Sequence, residues 1–348
     1  MNANLGPARP DRPATVRHAP GSVGWLKRHV RDLTGRTVQR VSAPGGRSRR
    51  SVRVHLEDGG TLIATRRETP ARAETEAALL QALGVAGAPV PRAVAFRDGL
   101  LLQEDAGRMR LSTRMAQADP DGRRDLAVAA AGALEACRRA VAARPDLLAA
   151  MPGLGTRRGW AEQLTARPVF LSGDLGVAPP AFDVEALTSA LTHRPARFTR
   201  WEARLGDAAV RSDGTVVWFD WTLFGRRAGV EDLAWLLADD HWRLGLDDSR
   251  AAFAAAADLD AAGWALVRRM AVLLMTRRID AMHRALTAGG WQDADEALRL
   301  DGRGALRDPL ADIARRGAEI AGSDPMIAGF GPWFAEAASA LLDRPAAA

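Results

Sequence analysis

Residues 38–103 read as short strands around a single helix, and after residue 121 the chain is almost wholly helical; this segregation limits the folds open to it. Strands are expected over 38–42, 51–56 and 61–65, runs rich in Val, Ile, Leu and Thr. Glu57-Asp58-Gly59-Gly60 between the last two is a hairpin turn. Helical spacing covers 70–83, and two more strands follow over 93–96 and 100–103, with a short opening helix over 22–33. Three strands, a helix and two strands make a small antiparallel sheet carrying one helix. Beyond it, helices are expected over 123–143, 184–191, 230–238, 261–286, 309–321 and 332–342, with one strand-like interruption over 197–219. The expected class is α+β, with a sheet-bearing lobe at 22–104 and a helical lobe at 105–348. Residues 1–21, rich in Pro and Arg without an apolar run, are expected to be a disordered basic arm.

A chain of 348 residues, 47% of them apolar, is long for one core and suits two lobes. Cys137 is its only cysteine, so no internal disulfide forms and a reducing cytoplasm fits. The most apolar helix, near 264–275, is broken by Arg268 and Arg269 and is too short and charged to span a bilayer. Arginine carries nearly all of the basic character behind the net charge of +6, because Lys27 is the only lysine. The arginines are scattered among acids rather than gathered in one stripe, which argues against a nucleic-acid partner.

Three features could carry chemistry. Glu76 shares the apolar stripe of its helix with Leu79, Leu80 and Leu83, and an inward carboxylate needs a partner; Arg66 is the nearest candidate, with Arg67 second. Gly45 and Gly46, between two strands and followed by Arg47, suit a turn whose backbone N–H groups face a phosphate. The turn Ser212-Asp213-Gly214 lets 207–210 pair back on 216–219, which sets Asp207 near Asp220. Two close carboxylates repel unless a cation intervenes, and hard oxygen ligands suit Mg²⁺. The same spacing also fits two unconnected surface aspartates. His193, His241 and His283 have no metal-ligand spacing and read as ordinary packing or surface histidines.

Taken together, these residues resemble the aminoglycoside phosphotransferase family, which shares the protein-kinase-like fold. The family motif H-G-D-x-x-x-x-N falls on Arg200-Trp201-Glu202 through Asp207; D-W falls on Asp220-Trp221, and D-L-A on Asp232-Leu233-Ala234. Pro89-Val90-Pro91 resembles the segment after the small-lobe helix, and Gln103-Glu104-Asp105-Ala106-Gly107 the hinge that contacts the nucleotide base. Ser172-Gly173-Asp174-Leu175 looks closer to H-G-D-L, but no Asn or Asp follows at the needed distance, so it reads as a loop. The resemblance covers about 38–238, with the catalytic segment at 197–234.

Three departures stand out. The family's catalytic Asp is Glu202, its metal-binding Asn is Asp207, and its phosphate-pairing lysine is missing, with Arg66 as stand-in. The resemblance implies a kinase that passes the γ-phosphate of ATP or GTP to a hydroxyl of a metabolite or aminoglycoside-like acceptor. Asp207 and Asp220 would hold Mg²⁺; Gly45, Gly46, Arg66, Glu76 and Glu104 would hold the nucleotide; Glu202 would orient or deprotonate the hydroxyl. Asp232 would brace the catalytic segment, and Asp239, Asp240 and His241 would lie near the acceptor. The alternative is a catalytically impaired pseudokinase that binds nucleotide or a partner protein.

Overall fold

The computed structural model describes residues 21–43, 51–67, 69–192, 196–300, 302 and 304–344. The expected arm (Gly21 apart), the Gly45-Gly46 turn and His193 lie outside the described residues.

The first helix, α1 (Val23–Thr34), starts where the Ser22 side chain accepts the Trp25 N–H at 3.2 Å and ends at Gly35, whose φ of 70° suits a residue without Cβ. Five strands follow: β1 (Val38–Ser42), β2 (Ser51–Leu56), β3 (Thr61–Arg66), β4 (Ala93–Arg97) and β5 (Leu100–Glu104), with α2 (Pro70–Val85) between β3 and β4. They form one antiparallel sheet in the order β1-β2-β3-β5-β4. Side-chain alternation gives the sheet two faces. On the outer face Leu62, Ala64, Leu100 and Leu102 pack under Trp25, Leu26 and Val30 of α1. On the inner face Leu101 joins Leu79, Leu80 and Leu83 of α2 in the core that continues into the helical lobe.

That lobe contains α3 (Leu111–Gln117), α4 (Pro120–Ala142), α5 (Pro145–Ala150), α6 (Trp160–Leu175) and α7 (Val184–Leu191). Four short strands come next: β6 (Arg197–Thr199), β7 (Ala208–Val210), β8 (Val216–Trp218) and β9 (Gly225–Arg227). The chain closes with α8 (Glu231–Leu237), α9 (Leu246–Ala256), α10 (Ala261–Gly289), α11 (Ala294–Leu300), α12 (Arg307–Gly322) and α13 (Phe330–Leu342). Trp218, Trp221, Phe330 and Phe334 are fully buried here, in the same core as α10 residues such as Met270 and Met275. Among the described residues no helix is long and apolar enough to cross a membrane.

Ser172-Gly173-Asp174 is not a loop but the last turn of α6. Pro168 inside the helix and Gly173 near its end both disfavour helix. The buried stripe Ala161, Thr165, Pro168, Ser172 and Leu175 overrides them, and Ser172 donates to the Pro168 carbonyl at 2.8 Å. Trp333 fixes Ser172 further, its Nε1 donating to the hydroxyl at 2.7 Å.

Candidate active site

The site is built around the β7–β8 hairpin. Asp213 Oδ1 accepts the Thr215 N–H at 2.9 Å and Gly214 takes a φ of 84°, which turns the chain so that Ala208 faces Trp218 and Val210 faces Val216. One step past this ladder, Phe219 donates its N–H to the Asp207 carbonyl at 2.9 Å. Asp220 follows with a φ of 57°, a left-handed conformation that Asp tolerates better than most residues. Asp207 and Asp220 both line a cavity of about 560 Å³ between the sheet and the helices.

The sheet side of this cavity is the inner face of β2, β3 and β5, represented by Arg53, Ile63, Thr65 and Gln103. Arg67 extends the Ile63, Thr65 series by one more step and also lines the cavity. Its guanidinium makes a two-pronged pair with Glu76, Nε to Oε2 and Nη2 to Oε1, both 2.7 Å. Nη2 also lies 3.5 Å from Asp220 Oδ1, linking the small-lobe helix to the hairpin. The pairing expected of Arg66 therefore belongs to Arg67. Arg66 is one residue off in a period of two, so it points to the outer face, exposed, with its guanidinium 5.9 Å from the Trp25 ring centre.

On the helical side, Arg200 ties the segment together. It is buried over the rings of Trp218 and Trp221, at 5.0 and 5.5 Å. Its Nη1 donates to the Glu202 carbonyl at 2.8 Å, and Nη2 to the Phe219 carbonyl at 2.6 Å and the Asp220 carbonyl at 3.3 Å. Trp201 and Glu202 both sit at positive φ, 61° and 54°, and this strained pair is held by Asp232. Asp232 accepts the Arg200 and Trp201 N–H groups at 2.9 and 2.8 Å, the bracing expected of it. Its burial raises its pKa to about 6, against the opposing N–H bonds and the Arg200 charge.

Solved structures with this architecture include an aminoglycoside phosphotransferase from Alicyclobacillus acidocaldarius, with a TM-score of 0.56, 13% identity, and 89% of this chain and 97% of that chain covered. A second is the GDP and kanamycin complex of APH(2")-IIia, with a TM-score of 0.51, 14% identity, and 80% and 95% covered. This is the aminoglycoside-phosphotransferase fold. The two-lobe, protein-kinase-like α+β architecture expected from the sequence is the one observed. No protein-family model matches the chain, and no curated protein matches it by sequence.

Residues 104–107, at the end of β5 and ahead of α3, all line the cavity. Glu104 is clamped by Arg92, whose Nε donates to Oε1 at 2.6 Å. Burial raises the Glu104 pKa, but the Arg92 hydrogen bonds outweigh it and hold the carboxyl below its usual range. Asp105 is paired with Arg53, Nε to Oδ2 at 2.5 Å and Nη2 to Oδ1 at 2.9 Å. Arg53 is a cavity residue that sequence reasoning did not single out, visible only once the strand faces are known; Arg67 was expected only as the second candidate partner of Glu76, and Gln103 only as part of 103–107.

Glu202 is half-buried and is not among the residues lining the cavity, so the three acids do not all share it. Its loop reaches Asp220 through Arg200, and among the described residues no hydrogen bond or ion pair engages its carboxylate. The acids expected near an acceptor are already engaged. Asp239 is buried, with Oδ2 accepting the Leu205 N–H at 3.0 Å and Oδ1 the His241 N–H at 2.9 Å. Asp240 is paired with Arg278 at 2.7 and 2.6 Å. They brace the helical lobe rather than greet a cationic ligand, because burial demands such partners.

The Asp220 carboxyl feels burial as an upward push. The Thr222 hydroxyl, donating at 2.5 Å, and the charges of Arg67 and Arg200 outweigh it and keep the pKa below the usual carboxylate range. Asp220 is therefore ionised at neutral pH. Among the described residues there is no group of three or more His, Cys, Asp or Glu that could hold a metal alone. Two carboxylates facing one cavity fit a Mg²⁺ whose remaining ligands are water and phosphate oxygens.

Proposed function

We propose that the chain is a phosphotransferase that binds a purine nucleoside triphosphate with Mg²⁺ between 22–104 and 105–348 and transfers its γ-phosphoryl group to a hydroxyl of a small molecule. The observation that carries this is the cavity itself, with Asp207 and Asp220 on one wall and Arg67, fixed by Glu76, on the other. A clamped cation opposite two carboxylates suits a phosphate chain and its metal. The neighbour solved with GDP and kanamycin supports both a nucleotide and a small hydroxylated acceptor.

In this reading Asp207 and Asp220 hold Mg²⁺, which would offset the charge of the phosphate oxygens when bound. Arg67 orients the phosphates, and Glu76 keeps its fork aimed at them. The acceptor oxygen forms a bond to the γ-phosphorus, the bond from that phosphorus to the bridging oxygen breaks, and the nucleoside diphosphate leaves. The hydroxyl proton passes to Glu202, whose carboxylate has no competing partner among the described residues. Arg200 positions Glu202 and Asp220 against each other through their backbone carbonyls.

The position of Glu202 outside the cavity lining also favours a second reading, a nucleotide-binding protein without transfer. Glu202→Gln separates the two when assayed with Mg-ATP, Mg-GTP and a panel of hydroxylated metabolites, aminoglycosides and choline-like alcohols. A general base is worth about 10²- to 10⁴-fold, so kcat should fall by at least about 100-fold with nucleotide affinity unchanged. Wild-type protein that is stabilised by nucleotide yet turns over no acceptor would support the non-catalytic reading.

A further inference from the structure

We propose that Arg110 is a positioning residue that sets the gap between Asp207 and Asp220 for Mg²⁺; this rests on the metal and nucleotide site proposed above and deepens it. Arg110 lines the cavity and stands immediately ahead of α3. The chain leaving β5 meets the β7–β8 hairpin at this point. The Val210 N–H donates to the Met109 carbonyl at 2.9 Å, and Arg110 pairs with Ala209 as an antiparallel bridge. The pairing holds the Arg110 backbone beside β7, two residues from Asp207.

From there its guanidinium engages the residue before each carboxylate. Nη1 donates to the Gly206 carbonyl, and the guanidinium carbon lies 5.8 Å from the centre of the Phe219 ring. The Gly206 carbonyl and the Asp207 nitrogen share one planar peptide unit, so holding the oxygen also holds the Asp207 Cα. That unit lies in a single 3₁₀ turn over 205–207, outside the β7–β8 ladder. On the opposite strand, the attraction between the cation and the ring face holds Phe219, and with it the backbone that enters Asp220.

The gap between two carboxylates matters most for a small, hard cation. Mg²⁺ demands nearly ideal octahedral geometry with oxygens at about 2.0–2.1 Å, whereas Ca²⁺ takes oxygens at about 2.3–2.6 Å in flexible arrangements. Two carboxylates held at one separation therefore discriminate between these ions. Two that drift apart serve the larger ion with little loss and the smaller one poorly. The hydrogen bond from the Phe219 N–H to the Asp207 carbonyl, at 2.9 Å, ties the two strands together at one level. Arg110 acts on both sides of that bond, through the peptide that enters Asp207 and the ring that precedes Asp220.

Calorimetric titration of a non-hydrolysable ATP analogue tests this on wild type, Arg110→Met and Arg110→Gln, each in Mg²⁺, in Ca²⁺ and in EDTA. Both replacements keep a side chain of moderate length and remove the charged fork. In the wild type, the tightening given by Mg²⁺ should exceed that given by Ca²⁺ at least about fivefold. Both variants should bring the two ions to within about twofold of each other by losing the Mg²⁺ gain, with binding in Ca²⁺ and in EDTA within about twofold of wild type. If one variant fails to fold, the other carries the comparison. A loss of similar size in Mg²⁺, Ca²⁺ and EDTA marks Arg110 as a direct nucleotide contact or a general support and overturns the proposal. A Mg²⁺ preference that survives in the variants, or that the wild type lacks, overturns it while leaving a nucleotide site intact. Failure of the wild type to bind the analogue under any of the three conditions overturns the proposed function with it.

Discussion

Asp220→Asn is expected to lower kcat/KM for phosphoryl transfer by at least about 100-fold, equivalent to about 2.7 kcal/mol of transition-state stabilisation. Asparagine is the informative replacement. It tolerates the left-handed backbone at φ 57° and can still accept the Thr222 hydroxyl, so the change removes charge and little else. Alanine would add strain of about 1–2 kcal/mol at that φ and confuse folding with chemistry. The side chain is half-exposed, so urea unfolding should shift by only about 0.5 kcal/mol. Asp207→Asn is the matched control, because it installs the residue of the family motif and retains an oxygen ligand. It should cost less than about tenfold. A Asp220→Asn protein with undiminished turnover would remove this carboxylate from the chemistry.

Glu76→Ala should destabilise the protein by about 3–5 kcal/mol in urea unfolding, because it strands the Arg67 guanidinium in a mostly buried setting. The Glu76 side chain is 2% exposed and the Arg67 side chain 12%, so solvent compensates for little of the loss. The double replacement Glu76→Ala with Arg67→Ala should cost clearly less than the two single changes summed, the signature of a direct pair. Arg66→Ala, on the outer face over Trp25, should stay within about 1 kcal/mol of wild type. If Arg66→Ala proved the more damaging of the two arginine changes, the assignment of the inner face would be wrong.

Elements set by local chemistry were legible in the sequence. β1, β2 and α7 lie where patterning puts them, and the β7–β8 hairpin follows from Ser212-Asp213-Gly214. α6 was hidden because Pro168 and Gly173 speak locally against a helix, while the burial that overrides them comes from distant elements. Arg66 and Arg67 differ by one step in a two-residue period, and composition cannot tell which faces inward; register against Ser51 and Leu101 can. Asp239 and Asp240 looked available because their partners, the Leu205 N–H and Arg278, are more than thirty residues away in the chain. The position of Glu202 was readable, but its place outside the cavity lining depends on two consecutive positive-φ residues that no motif announces. Gln103 drew attention only as part of 103–107, since a buried amide oxygen without a partner among the described residues shows only in the packed structure.

The central claim is that Asp207 and Asp220 share a divalent cation carrying a nucleotide. It is tested most directly by titrating a non-hydrolysable ATP analogue into wild-type and Asp220→Asn protein, each with Mg²⁺ and with EDTA. The account predicts that Mg²⁺ tightens wild-type binding by at least about tenfold and that this gain disappears in the variant. Binding that is indifferent to Mg²⁺, or a Mg²⁺ gain that persists without the Asp220 charge, would contradict it.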